Sequence, residues 1–220
     1  MSLNQTFALL ARLPLLQGLG SRELAQLESR MEMELMPAQR RPIIVQGEPC
    51  SQLLFLVEGQ LMRSYQSPDG KYGTRQTLDA PAAIEPEALY ALGGTYRHSY
   101  RTLTECRFIN IRRGDVTTRL MTLDIFRINY INLLSRQLQR LQEQLVPRQY
   151  ESLEDRLLHF IASIFPYGTK DAMLEMRMQD MADYLNAARL NVSRVLNRLQ
   201  QQGLLQLGRG KIRFTKELKN

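Results

Sequence analysis

Hydrophobic positions along the chain follow three successive regimes. From residue 43 to residue 111 they come in short runs broken by turn residues. Ile43, Ile44 and Val45 precede Gln46-Gly47-Glu48-Pro49, and Leu53 to Val57 lead into Glu58-Gly59. Leu61 to Tyr65 approach Pro68-Asp69-Gly70-Lys71, and Arg107 to Ile111 form a later run. Pro-Asp opens a turn and glycine supplies its positive φ, so these runs predict antiparallel strands in a small β-barrel or roll. Ahead of them, residues 21–33 predict a short helix with Ser21 as its cap.

The second regime has helical period. Residues 115–146 contain neither glycine nor proline, and Pro147 follows to stop the helix. Ile131, Leu134, Leu138, Leu141 and Leu145 alternate gaps of 3 and 4, the spacing of a coiled-coil seam. The same pattern would also serve a helix packed on its own domain. In the third regime, residues 151–165 predict a helix, which Pro166-Tyr167-Gly168 breaks. Two short helices are expected at about 178–185 and 190–202, with Gly203 closing the latter as its C′ residue. Residues 204–207 and 211–214 then form a β-hairpin around Gly208-Arg209-Gly210.

Composition narrows the possible chemistry. The net charge of the 220-residue chain is +7, which suits a polyanionic partner. Residues 177–220 hold nine basic and three acidic side chains, a net +6, so most of the excess lies in one fifth of the length. Cys50 and Cys106 are isolated from one another and from His98 and His159, which argues against a metal site. The cysteine usage and the lack of a leader-like start at residues 1–10 predict a cytoplasmic protein, and no apolar stretch predicts a membrane span. No nucleophile–base pair, phosphate loop or metal cluster points to an enzyme, and no catalytic residue is assigned.

Two short helices joined by Asn186-Ala187-Ala188 and followed by a basic hairpin have the outline of a winged helix-turn-helix. Met181 and Leu185 of the first helix, and Val192, Val195 or Leu196, and Leu199 of the second, would form its core. Arg189, Asn191, Arg194 and Arg198 would lie on the opposite face of the second helix. Arginine can hold guanine O6 and N7 with two hydrogen bonds, so this division fits a helix reading double-stranded DNA in the major groove.

Together, in this order, these pieces resemble the cyclic-AMP receptor protein/FNR family of bacterial transcription regulators. The similar residues are Gln46-Gly47-Glu48, Leu53 to Val57 with Gly59, Asp69-Gly70-Lys71, the long helix, Glu154 to Leu158, Gln179 to Ala182, and Arg189 through Arg194 to Leu199. The resemblance implies an α+β fold with a cyclic-nucleotide-binding-like β-roll over 1–115, a dimerisation helix over 116–147 and a winged helix-turn-helix over 148–220. It also implies a homodimer on a roughly palindromic site, with RNA polymerase as a further partner. Arg189 and Arg194 would meet base edges, Gln179 and Asn191 phosphates, and Arg209 and Lys211 the backbone from the wing. Leu190 stands where much of the family has glutamate; it cannot accept from cytosine N4 but can touch a thymine methyl.

The effector cassette departs further. Glu87 and Arg97 fall where nucleotide-binding relatives hold ribose and phosphate, but Pro86 replaces a glycine and His98 a small hydroxyl residue. Cyclic nucleotide is therefore not the expected effector, although Arg97 could still clamp an anion. No cofactor is assigned. Tyr90, Tyr96 and Tyr100 would either line an effector pocket or pack. The alternative function is a ligand-binding sensor whose C-terminal helices contact protein instead of DNA.

Overall fold

The computed structural model describes residues 12–28, 31–145, 152–165 and 171–214. The chain divides into two compact units, Met1–Leu61 with Leu78–Leu145, and Met62–Thr77 with Val146–Asn220.

In the first unit, α1 (Ser21–Glu28) starts where the Gly20 carbonyl accepts the Leu24 amide and the Glu23 carboxylate accepts the Gly20 amide at 2.7 Å. Gly20 therefore occupies the cap position, and Ser21, the expected cap, is the first helical residue. The helix also ends earlier than predicted, because Glu32–Met36 form strand β1. Its helix-favouring residues are drawn into a ladder with β7 (Cys106–Arg112), where Glu32 faces Asn110 and Met36 faces Cys106. Tertiary pairing here outweighs local propensity, which is worth only tenths of a kcal/mol per residue, roughly.

The sheet order is β1-β7-β2-β5, with β2 at Gln52–Glu58 and β5 at Ala82–Ile84. Leu53 to Val57 are all buried, which explains an unbroken apolar run in place of alternation. Phe55 lies opposite Ile109, and each such burial is worth about 1.5–3 kcal/mol. Gly59 follows at φ +97; a Cβ there would sit 2.4 Å from the Glu105 carbonyl oxygen, so only glycine fits. The expected strand at Ile43–Val45 is reduced to an isolated bridge between Ile44 and Tyr100 of β6 (Ser99–Thr102). Pro42 and Pro49 flank that run and cannot donate to a ladder.

The long helix expected over 115–146 is interrupted. It consists of α2 (Arg113–Thr118), a 3₁₀ turn (Leu120–Thr122) and α3 (Asp124–Leu145), with Leu123 extended at φ −86 and ψ 119. The hydroxyls of Thr117, Thr118 and Thr122 donate to the carbonyls of Arg113, Gly114 and Arg119, a competition that weakens helix interiors. Asp124 then restarts the helix with a carboxylate in its first turn. Phe126 and Tyr130 anchor α3 in the core, and the Asn129 amide donates to the carbonyls of Leu15 and Gln17 at 3.3 and 2.8 Å. Pro147, the expected stop, lies outside the described residues, as does the Pro166–Gly168 break.

In the second unit, β3 (Gln60–Gln66) from Met62 onward and β4 (Tyr72–Asp79) up to Thr77 lie in a sheet with β8 (Met173–Met176), β10 (Lys211–Phe214) and β9 (Leu205–Gly208), in the order β3-β4-β8-β10-β9 within that unit. The turn before β4 is tied by Asp69, which accepts from the Ser67 hydroxyl at 2.7 Å and the Lys71 amide at 3.1 Å. β8 was not expected from the sequence, since Met, Leu and Glu favour helix; it forms because Tyr72 pairs with Met176 on one side and Lys211 with Glu175 on the other. Helix α4 (Leu153–Ile164) opens on a capping box between Ser152 and Asp155. With α5 (Met178–Tyr184) and α6 (Arg189–Gln201) it encloses Leu157, Phe160, Ile161, Val192, Leu196 and Leu199. Among the described residues no helix is long and apolar enough to cross a membrane.

Candidate nucleic-acid interface

Helices α5 and α6 are joined by a tight turn. The Leu185 amide donates to the Met181 carbonyl at 2.9 Å, Asn186 takes φ +45, and the Ala187 amide returns to the Ala182 carbonyl at 2.9 Å. Asparagine tolerates this left-handed position better than other non-glycine residues. At the far end of α6, Gly203 at φ +70 lets the Leu204 amide reach the Leu199 carbonyl, closing the helix as the sequence predicted.

The faces of α6 separate cleanly. Val192, Leu196 and Leu199 are buried, while Arg189, Leu190, Asn191, Arg194, Asn197 and Arg198 are exposed. On a helix of 3.6 residues per turn, the direction opposite the buried stripe falls on Leu190, Arg194 and Asn197. Asn197 was missed by the sequence reading; its spacing of i+3 from Arg194 and i+7 from Leu190 was the available signal. Leu190 is 61% exposed at the middle of this face, so nothing in its own unit needs it.

The cations differ in their engagement. Arg189 and Arg209 have no carboxylate partner among the described residues, and Arg194 makes only a 3.4 Å contact to the Asn191 side-chain oxygen. Arg198 instead pairs with Glu154 at the start of α4. Lys211 lies 3.2 Å from Glu175 without hydrogen-bond alignment, and Arg75 reaches the other oxygen of Glu175 at 3.2 Å. Gln179 donates to Asp183 at 2.8 Å on the exposed side of α5. Arg177 grips Asp180 with two hydrogen bonds of 2.6 and 2.9 Å, which pushes the guanidinium further up from its ordinary range. The wing tip turns at Arg209-Gly210, where Gly210 has φ +67.

The predicted effector residues have different partners. Glu87 accepts from Gln137 of α3 at 3.2 Å, and the Arg97 side chain is exposed. His98 turns inward to Glu85, with Nδ1 2.5 Å from its carboxylate. Glu85 is buried at φ +39 and also accepts from the Arg97 amide at 2.5 Å, the His98 amide at 3.1 Å and the Tyr100 hydroxyl at 2.9 Å. Burial alone would raise its pKa, but the hydrogen bonds from His98, Arg97 and Tyr100 and the His98 charge outweigh this and hold it below the ordinary carboxylate range. The sequence reading missed Glu85; an acid following the apolar run 82–84 and preceding Pro86 was its only mark.

Tyr96 and Tyr100 are core residues, and Tyr90 meets the Tyr130 ring edge-on at 5.8 Å. Both cysteines are buried, and desolvation raises the Cys50 thiol pKa. No group of three metal-ligating side chains occurs among the described residues. On α3, Ile131, Leu134, Leu138 and Leu141 are 61%, 38%, 56% and 51% exposed, as is Ile128 at 57%; the Leu145 side chain lies outside the described residues.

Comparison with known proteins agrees with this architecture. Residues 155–219 match a family model described as a Crp-like helix-turn-helix domain. The chain is 25% identical over 199 residues to the cyclic AMP receptor protein of Thermus thermophilus, covering 90% of this chain and 91% of that one. It is 30% identical over 122 residues to the nitrogen fixation regulation protein FixK of Azorhizobium caulinodans, covering 52% and 49%. The catabolite activator protein of Thermus thermophilus shares the fold with a TM-score of 0.53 at 22% identity, over 91% of this chain and 93% of that one. The c-di-GMP responsive regulator CLP of Xanthomonas campestris gives 0.50 at 18% identity, over 90% and 100%. A β-rich cyclic-nucleotide-binding-like region is thus followed by helices and a Crp-like helix-turn-helix domain, and over most of its length the chain is similar to DNA-binding transcription regulators of the cyclic-AMP receptor protein/FNR type.

Proposed function

We propose that the protein works as a homodimer in which α6 of each protomer enters one of two successive major grooves, about 34–36 Å apart. The observation that carries this reading is the outward face of α6, where Leu190 and Arg194 stand exposed opposite a buried Val192, Leu196 and Leu199. Arg189 and Arg194 read base edges, Leu190 touches a thymine methyl, and Asn191 and Gln179 hold phosphates. Ala188 offers no side-chain acceptor at the start of α6, so the first amides of that helix also face the phosphate backbone. Arg198 and Lys211 reach DNA by exchanging Glu154 and Glu175 for phosphates, and Arg209 follows the backbone from the wing.

The exposed stripe of Ile131, Leu134, Leu138 and Leu141 is the dimer seam, continued by Leu145 and extended toward Ile128. In this scheme residues 1–115 form the effector module, 116–147 the dimerisation helix and 148–220 the DNA-binding module. The regulator acts in the cytoplasm with RNA polymerase as its downstream partner, and no chemistry of catalysis is assigned to it. Selection from random duplexes tests the scheme. The expected product is a near-palindrome with half-sites one helical turn apart. Recovery of an asymmetric single site would contradict the dimer, and recovery of none would favour the protein-contact alternative.

A further inference from the structure

The arrangement around Glu85 is built like an anion-binding site, with the anion supplied by the chain. Two successive amides, of Arg97 and His98, point at its carboxylate, as in the concave nests that bind oxyanions. The His98 ring and the Tyr100 hydroxyl complete the set, so four donors converge on two oxygens. The side chains of His98 and Glu85 are only 13% and 7% exposed. An ionised carboxylate only accepts and offers about four lone-pair sites, so it matches four converging donors where a neutral group matches fewer. Glu85 reaches the seat by adopting φ +39, an unfavourable backbone conformation for a glutamate.

We propose that the Glu85 carboxylate is a built-in ligand: it fills an oxyanion seat formed by Arg97, His98 and Tyr100, and so closes that part of the β-roll to phosphate- or carboxylate-bearing effectors. The next residue supports the same view. The Pro86 carbonyl accepts the Tyr130 hydroxyl of α3 at 2.5 Å, and Glu87 accepts Gln137 of α3 at 3.2 Å. Seating Glu85 therefore fixes a turn that is bonded to the helix carrying the dimer seam, with no small molecule required. This consequence for regulation rests on the proposed function; occupancy of the seat does not.

Chemical rescue tests the proposal without DNA. Thermal melting of the full chain and of Glu85→Ala is compared in chloride and in formate at matched ionic strength. Inorganic phosphate and cyclic AMP are added to the wild type. The wild type should show no saturable gain in melting temperature from formate, phosphate or cyclic AMP, beyond the non-saturating effect that excluded salts have on any folded chain. The variant should melt lower in chloride and recover several degrees, saturably, in formate, because a small carboxylate re-enters the seat. If Glu85→Ala does not fold in chloride, its refolding yield in formate gives the same reading. A variant indifferent to formate, or a wild type stabilised saturably by phosphate or cyclic AMP, overturns the proposal. Since stability is the readout, a failure here is distinct from a failure to bind DNA.

Discussion

Leu138→Glu tests the seam most sharply. Leu138 is 56% exposed in the protomer, so about half of the 1.5–3 kcal/mol available from burying a leucine is still unrealised. Pairing two helices about a two-fold axis would realise it twice, for roughly 2 kcal/mol per dimer, or about 30-fold in the dissociation constant. Leu138→Ala should therefore weaken dimerisation by about that factor. Glutamate adds two like charges facing each other in a desolvated seam, so Leu138→Glu should weaken it by well over 100-fold, roughly. Sedimentation equilibrium measures the constant, and operator affinity should fall in parallel. Near-wild-type dimerisation of Leu138→Glu, or unchanged operator binding by a demonstrated monomer, would refute the reasoning.

Three further outcomes are expected. Arg194→Ala should lose about 1–3 kcal/mol on the selected operator and relax discrimination at the bases it faces. Arg198→Ala should cost less, since Arg198 must first leave Glu154; anisotropy titrations on wild-type and base-substituted duplexes decide between them. Gly59→Ala should be destabilised by about 1–3 kcal/mol or more, since φ +97 and a 2.4 Å approach to the Glu105 oxygen both oppose a Cβ; urea unfolding measures this. The depressed pKa of Glu85 makes its contribution to stability complete above its ordinary value of 4.5 and lost as pH falls through the lower folded value. Melting temperature should thus fall more steeply with acid in the wild type than in Glu85→Gln; parallel curves would contradict this. His98 and Tyr100 act directly on Glu85 in this titration, and Cys50 and Tyr96 feel its charge.

The parts of the fold legible in the sequence are those where local pattern and tertiary need coincide. Leu53 to Val57 read as a strand because both faces are buried, and the buried stripe of α6 has helical period with glycine at its end. Elements recruited by pairing were not legible: β8 and β1 are built from methionine, leucine and glutamate and become strands only because neighbouring strands accept them. The break at Leu123 was hidden because it arises from threonine back-bonding, not from glycine or proline. At the DNA-facing surface the arginines were readable from charge, whereas Asn197 needed the helix phase. The pairings of Arg198 with Glu154 and Lys211 with Glu175 needed three-dimensional proximity. Glu85 was invisible because its role depends on donors more than ten residues away, as with the His98 contact at a separation of 13.

In the proposed complex the cationic outward face of α6 and the wing engage duplex phosphates. The salt dependence of binding to a selected operator tests it most directly. Each phosphate contact should contribute about −0.9 to the slope of log affinity against log salt. A steep negative slope is expected for the wild type, with Arg209→Ala and Lys211→Ala each making it shallower by about that amount. Absence of binding at low salt to duplexes of any sequence, or a slope indifferent to those two substitutions, would contradict it.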